Sequence, residues 1–257
     1  MNTIDSPFNL TNKNIIITGA SSGIGRQCAI NCSRMGANVA LFGRNQVRLN
    51  ETLSGMENIS NHLVYSVDLL EYESVEEKIK EFVGQKGKIS GLINSAGIST
   101  TLPLKMITSQ KMDEFFHTNV QSCINITKFV SKIAAFSENG GSIIFISSVM
   151  GAVGESGKTL YGLTKGALIA ASKSLAVELA GRNIRVNCIS PGVVETPLSQ
   201  KAVYSQNEES LNKIKSYHPL GLGRTEDVAN ACIFLLSDAS RWVTGINLFV
   251  DGGYSAR

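Results

Sequence analysis

Tyr161 and Lys165 lie one helical turn apart in Tyr161-Gly-Leu-Thr-Lys165, so a helix through them sets a phenol and an ammonium on one face. A free phenol titrates near 10, and exchanging its proton around neutrality requires about 4 kcal/mol of phenolate stabilisation. A neighbouring ammonium in a partly desolvated pocket supplies stabilisation of that kind. Ser147-Ser148 close an apolar run just ahead of a glycine-bearing loop, and the chain from Ser148 to Tyr161 is long enough to return both hydroxyls to one pocket. A serine hydroxyl there can hold a carbonyl oxygen. As a nucleophile it would need a base, and neither Gly-x-Ser-x-Gly nor an evident histidine partner is present. Tyr-x3-Lys recurs by chance on helices, so its weight comes from what surrounds it.

The elements that must position these groups begin with Lys13–Thr18, a β-branched run that reads as a buried strand and breaks into Gly19-Ala20-Ser21-Ser22-Gly23-Ile24-Gly25 at the start of a helical pattern. Gly19 permits a tight turn, Gly23 lets backbone approach a pyrophosphate, and Gly25 lets the helix pack against the strand. Such a turn binds a dinucleotide, although purely steric reasons also produce it in α/β proteins. A helix over 24–35, ended by Gly36, leads to a second strand, Asn38–Phe42, followed by Gly43-Arg44-Asn45. Dinucleotide folds read the adenosine ribose at about this distance, and no carboxylate stands here to take a 2′-hydroxyl. Arg44 offers a donor fork to a 2′-phosphate, one charge-assisted contact worth about 1.5–3 kcal/mol, which favours NADP(H) over NAD(H). The alternative is a solvated loop arginine.

Strand and helix then alternate: a helix near 45–57, a strand over His62–Val67 followed by Asp68-Leu69, a helix over Glu71–Gln85, and a strand from Ile89 into Asn94-Ser95-Ala96-Gly97. Asp68 can receive an adenine amino group, and Asn94 and Gly97 lie where open parallel sheets bind ligands; each can equally just end a strand. Residues 108–136 read as one long helix containing Asn119, Ser142–Ser147 as a strand, and Thr159–Ala180 as a second long helix. Ile184–Ile189 is a strand broken by Ser190-Pro191-Gly192; a polar stretch runs to Pro219, then a helix over 225–236 and a last strand, Asn247–Val250. About seven strands with right-handed crossovers describe an α/β chain, and no linker, repeat or low-complexity tract divides residues 1–257, so one domain is expected.

A net charge of +3 over 257 residues, with only Lys86 and Lys88 as a local cluster, supports neither a nucleic-acid groove nor a membrane surface. Cys28, Cys32, Cys123, Cys188 and Cys232 contain no close Cys-x2-Cys pair, and His62, His117 and His218 form no ligand motif; free packing thiols and no metal are expected. Residues 1–10 lack a signal pattern and no run reaches membrane-spanning length, so a cytoplasmic protein is expected. Without such a signal the sequons at Asn9, Asn58 and Asn125 are chance matches.

Together the glycine turn, Asn94, Asn119, Ser148, Tyr161, Lys165 and Pro191-Gly192, in that order, make the chain resemble the short-chain dehydrogenase/reductase family over nearly its whole length. The resemblance implies a Rossmann fold with a parallel sheet covered by helices on both faces. Thr18-Gly-x3-Gly-Ile-Gly25 is similar to the family's cofactor loop, which assigns Gly19, Ser21, Ser22, Gly23, Ile24 and Gly25 to the dinucleotide. Asp68 with Leu69 would meet adenine, and Asn94-Ser95-Ala96-Gly97 is a variant of the Asn-Asn-Ala-Gly motif, bringing Asn94, Ala96 and Gly97 to the cofactor. Pro191, Gly192 and Val194 would line the nicotinamide and Thr196 its phosphates. By the same similarity Ser148 orients a substrate carbonyl, Tyr161 donates the proton and meets the cofactor, Lys165 binds the nicotinamide ribose and lowers the tyrosine pKa, and Asn119 holds a water linking the lysine to solvent. Hydride transfer from a nicotinamide needs no metal.

Within the family, Ile184-Arg-Val-Asn-Cys-Ile-Ser-Pro-Gly192, Pro219-Leu-Gly-Leu-Gly-Arg224 and Val250-Asp-Gly-Gly253 resemble the 3-oxoacyl-[acyl-carrier-protein] reductase-like branch. A carrier-bound acyl thioester is then a possible partner, although Ser137-Glu138-Asn139 stand where carrier-dependent members carry basic residues, leaving Arg182 as the available cation. Sugar, polyol or steroid alcohols are the alternatives, and a catalytically idle NADP-binding regulator or scaffold is a reading of another class. The substrate lid is expected within Pro197–Pro219, a polar stretch with Lys201, Tyr204, Lys213, Lys215, Tyr217 and His218, whose lysines either meet a phosphorylated or carboxylated substrate or belong to a solvated amphipathic helix. The resemblance also implies a homotetramer built on the two long helices and on the C-terminal helix and strand.

Overall fold

Three consecutive isoleucines give β1 (Asn14–Thr18) two buried faces, and the computed structural model, which describes residues 6–200 and 207–256, splits them between two cores. Ile16 points to one side, with Phe82, Ile126, Leu168 and Val186; Ile15 and Ile17 point to the other, with Cys28, Leu41, Val228 and Leu235. The period-two alternation of a strand does this, and a run apolar at every position marks a parallel strand covered on both sides.

The sheet is parallel, in the order β3-β2-β1-β4-β5-β6-β7, with β2 (Asn38–Gly43), β3 (Leu63–Ser66), β4 (Gly91–Asn94), β5 (Gly141–Ile146), β6 (Ile184–Pro191) and β7 (Asn247–Val250). On one face lie α3 (Tyr72–Lys86), α5 (Ser122–Val130) and α6 (Thr159–Leu179); on the other α1 (Gly23–Arg34), α2 (Gln46–Ser54) and α9 (Thr225–Leu236). The chain leaves β1 toward β2 and later returns to β1's other edge with β4. That reversal opens a crevice at the strands' C-terminal ends.

Two expectations need correction. Residues 108–136 are not one helix: α4 (Ser109–Phe116) passes through a π-helical turn, His117–Gln121, into α5, which ends at Val130. The turn carries Asn119, whose side chain is committed to tertiary partners. Beyond Val130 the chain is captured by the lead-in to β4, with Ile89 N donating to the Ala135 carbonyl at 2.8 Å and Ser137 N to the Ile89 carbonyl at 2.7 Å. Nor does Ser190-Pro191 break β6, which runs on through Pro191. Cys188 N and Gly192 N donate toward β7, at Ile246 and Val250, so Pro191 faces the β5 side, where pairing has already ended at Ile146 and Ile189. Its missing N–H therefore leaves no ladder bond unmade.

In the stretch expected to hold the lid, α7 (Pro197–Gln200) precedes α8 (Glu208–Ser216), capped by Asn207 and turning Ile214 inward while Lys213 and Lys215 face solvent. Lys201 and Tyr204 lie outside the described residues. No helix among the described residues is long and apolar enough to cross a membrane. All five cysteines are free and buried, with Cys28 and Cys232 Sγ atoms 3.6 Å apart between α1 and α9. Among the described residues no His, Cys, Asp and Glu group is placed to hold a metal.

Candidate active site

The turn that ends β1 sets the closest backbone approach in the crevice. Gly19 adopts φ 64°, and a Cβ built on Gly25 would lie 2.4 Å from the Gly19 carbonyl oxygen, so only glycine lets α1 start this near the strand. The first turn of α1 has no acidic residue, and its N-cap, Ser22, makes no side-chain cap bond. Free N–H groups and the helix dipole thus face the crevice without an internal anion, which suits a pyrophosphate. Thr18 Oγ1 accepts from Ser95 N at 3.0 Å and Ala96 N at 3.1 Å, fixing the loop after β4 against the same turn.

The resulting cleft holds about 750 Å³ and runs from the end of β2 to the start of α6. At one end stand Arg44, 76% exposed in its side chain, and Asp68, with Arg44 Nη1 4.0 Å from Asp68 Oδ2. Asp68 also accepts from Leu70 N at 3.0 Å, which shapes the turn after β3. Arg48 joins this end, a residue that sequence reasoning missed: Asn45 caps α2 by accepting from Arg48 N at 3.0 Å and so places Arg48 in the first helical turn beside Arg44.

At the other end β5 delivers Ser147 and Ser148, and α6 delivers Tyr161 and Lys165. Ser147 Oγ donates to the Lys165 carbonyl at 2.8 Å, pinning α6 to the strand end. The short 3-10 turn Val149–Gly151 lies backbone to backbone on α6: a Cβ on Gly151 would sit 2.8 Å from the Lys165 carbonyl carbon and 2.9 Å from Gly166 N. This contact brings Ser148 over the first turns of α6. Ser148 Oγ accepts from Met150 N at 3.2 Å, which leaves its hydroxyl proton free to donate into the cleft. Lys165 is buried, donates to the Ile146 carbonyl at 2.8 Å, and holds its Nζ 5.8 Å from the centre of the Tyr161 ring.

Gly19, Ser21, Ser22, Gly23, Ile24, Arg44, Asp68, Leu69, Ala96, Gly97, Ser148, Tyr161, Lys165, Pro191, Gly192, Val194 and Thr196 all line this one cleft. Gly25, Asn94 and Asn119 do not. Gly25 acts one layer back through packing. Asn94, expected at the cofactor, is buried behind the wall, where its amide donates to Thr127 Oγ1 at 3.2 Å and its Oδ1 has no partner. Asn119 is fully buried as well: Oδ1 accepts from Ile98 N at 2.7 Å, and Nδ2 donates to the Ile98 carbonyl and to Thr164 Oγ1, both at 3.0 Å. It straps the loop after β4 to α6 beside Lys165.

The cleft has further walls the sequence did not flag. Glu155 and Lys158, in the loop entering α6, line it with Tyr254, and Glu155 Oε2 accepts from the Tyr254 hydroxyl at 3.3 Å. Their signal was the pair of charges between Ser148 and Tyr161. His218, in the polar stretch, is buried: its Nδ1 donates to the Ile214 carbonyl at 2.8 Å and its Nε2 accepts from Val193 N at 3.1 Å, tying α8 to the Pro191–Val194 loop. Arg182 donates to the Ser131 carbonyl, and Glu138 pairs with Lys88 at 2.6 Å.

A model of the family described as "Enoyl-(Acyl carrier protein) reductase" matches residues 19–255. A 3-oxoacyl-[acyl-carrier-protein] reductase of Thermotoga maritima is 34% identical over 246 residues, covering 95% of this chain and 98% of that protein. An L-xylulose reductase of Caenorhabditis elegans is 32% identical over 96% of this chain and 98% of its own length. The solved structure of a tyrosine-to-phenylalanine variant of ElxO with NADPH bound superposes with a TM-score of 0.85 at 30% identity, covering 95% of this chain and 99% of that one. With a doubly wound parallel sheet, a glycine turn under a dinucleotide-sized cleft, and Ser148, Tyr161 and Lys165 gathered at its end, the chain belongs to the short-chain dehydrogenase/reductase family of oxidoreductases.

Proposed function

We propose that the protein is an NADP(H)-dependent oxidoreductase that interconverts a ketone and a secondary alcohol, with 3-oxoacyl thioesters as its first substrate class. The observation that carries the reading is the convergence of Ser148, Tyr161 and Lys165 on the cleft whose far end holds Arg44 and Arg48. The glycine turn and the uncapped start of α1 fit a pyrophosphate, and the two guanidiniums fit a 2′-phosphate. When bound, the nicotinamide supplies the hydride that the carbonyl carbon receives.

The chain's own groups do the rest. Ser148 donates to the substrate carbonyl oxygen with the proton its Met150 contact leaves free. Tyr161 gives its phenolic proton to the oxygen as negative charge develops there, and the Lys165 ammonium stabilises the phenolate left behind. Asn119 contributes by holding Ile98 and Thr164, and so keeps the loop and helix that flank Lys165 in register. Sugar, polyol and steroid alcohols are the next substrate classes.

Residues 1–257 act as one unit, cytoplasmic and without a nucleic-acid or membrane partner, and the lid lies within Pro197–Pro219, where Pro197, Leu198, Ser199 and Ile214 line the cleft. A homotetramer accounts for two apolar surfaces: Leu163 and Val177 stand exposed on α6, Val177 at 81%, and Trp242 is 92% exposed ahead of β7.

The test is NADPH oxidation with an acetoacetyl thioester on a pantetheine-type carrier, with NADH in parallel. Turnover that prefers NADPH supports the reading. Tight NADPH binding with no turnover of thioester, sugar, polyol or steroid ketones refutes it in favour of a binding regulator.

A further inference from the structure

Two ammonium groups stand near the Tyr161 ring. Lys165 Nζ is 5.8 Å from its centre and Lys158 Nζ is 5.9 Å. Lys165 has its task in the reading above; Lys158, from the loop ahead of α6, has none. Its Nζ donates to Thr101 Oγ1 at 2.7 Å and to the Thr100 carbonyl at 3.2 Å, which uses two of three donors on the loop beyond Gly97. No carboxylate among the described residues comes within the 4.0 Å of an ion pair. Glu155 is the carboxylate whose charge acts on Lys158, and it accepts from the Tyr254 hydroxyl. Burial lowers the Lys158 pKa below the usual lysine value, against the raising effect of Glu155. An ammonium this short of partners gains from one more oxygen, and Lys158 lines the cleft.

We propose that Lys158 is a specificity residue: it takes the second oxygen of a substrate whose reacting ketone has a carbonyl or carboxylate two carbons away. A 3-oxoacyl compound has that pattern; a steroid or simple aliphatic ketone does not. The inference rests on the reductase reading and narrows it. The second oxygen belongs either to a thioester or to a free 3-oxo acid, chemically alike toward an ammonium apart from the carboxylate's charge.

The experiment compares kcat/KM with NADPH for acetoacetyl-N-acetylcysteamine, acetoacetate and 2-hexanone in the wild type, Lys158→Met and Lys158→Arg. Lys158→Met should lower the ratio of 3-oxoacyl to 2-hexanone activity by about 10-fold or more, mainly through KM, and Lys158→Arg should recover most of it. The larger loss, on the thioester or on the acid, names the source of the oxygen. If all three substrates fall together and the ratios stay within about twofold, Lys158 is a loop tether and the proposal is overturned. Acetoacetate titrated into NADPH-loaded Tyr161→Phe, with and without Lys158→Met, gives a second readout free of turnover. Weaker binding in the double variant supports the proposal and equal binding overturns it. If the wild type reduces none of the three, the 3-oxoacyl form of the reductase reading fails, and this titration still decides the role of Lys158.

Discussion

Removing the guanidinium of Arg44 should change which cofactor the protein prefers far more than how well it binds dinucleotides in general. Arg44 is 76% exposed and its nearest acid, Asp68, is 4.0 Å away, an exposed pair worth about 0–1 kcal/mol, so little is lost in turning the guanidinium to a phosphate. A charge-assisted contact to a 2′-phosphate is worth about 1.5–3 kcal/mol, and exposure with salt screening places a single loss near the low end. Arg44→Ala should therefore raise the KM for NADPH about 10-fold and that for NADH less than about twofold. Arg48 shares the site, so Arg44→Ala/Arg48→Ala should approach about 100-fold, with the effect shrinking as salt rises. The assay is kcat/KM for both cofactors at low and high ionic strength. Equal losses for NADPH and NADH in the double variant, or a wild type that prefers NADH, would refute the assignment.

Other consequences follow from single contacts. Gly151→Ala puts a Cβ 2.8 Å from backbone of α6 and must lift Ser148 away from Tyr161; kcat should fall roughly 10-fold or more with the NADPH Kd held within about twofold, and an unchanged kcat would show that the close approach is dispensable. His62 is buried, accepting from Val39 N at 3.1 Å through Nδ1 with Nε2 2.7 Å from the Glu57 carbonyl, a pattern that needs the neutral ring. Burial lowers its pKa from 6.5, the Glu57 carbonyl opposes this and Lys86 adds to it, so the unfolded chain takes up the proton first. Its stabilising effect is complete above pH 6.5 and is lost as pH falls through the lowered folded value; Tm measured against pH should drop there in the wild type and less steeply in His62→Gln. Val177→Asp should shift the protein to a smaller species in sedimentation, and an unchanged mass would remove α6 from the interface.

The sheet was legible because parallel strands buried on both faces leave unmistakable apolar runs: each strand expected from the sequence is present, most within a residue or two. The helix over 108–136 was misjudged because its apolar period continues through Asn119, while the π-helical turn is imposed by bonds to Ile98 and Thr164, distant in sequence. Pro191 misled for a related reason. A proline is tolerated in β6 only because β5 is shorter, and strand order does not show in one strand's residues. At the site, the motif residues came together, but motif order does not tell a residue that lines a cleft from one that braces its wall. Asn94 and Asn119 are both asparagines at strand or helix positions near the site, and both turned out to face inward. Arg48, Glu155 and Lys158 were overlooked because charged residues on loops are ordinary until neighbouring elements close a cleft around them.

That Tyr161 supplies the proton in this cleft is tested most directly by NADPH oxidation in Tyr161→Phe beside the wild type, with the Kd for NADPH measured by fluorescence in both. Turnover should fall by about 10²- to 10⁴-fold while Kd stays within about twofold, because in the proposed function the phenol acts on the reacting oxygen and the glycine turn and Lys165 hold the dinucleotide. Turnover comparable to the wild type with cofactor binding intact would contradict the account.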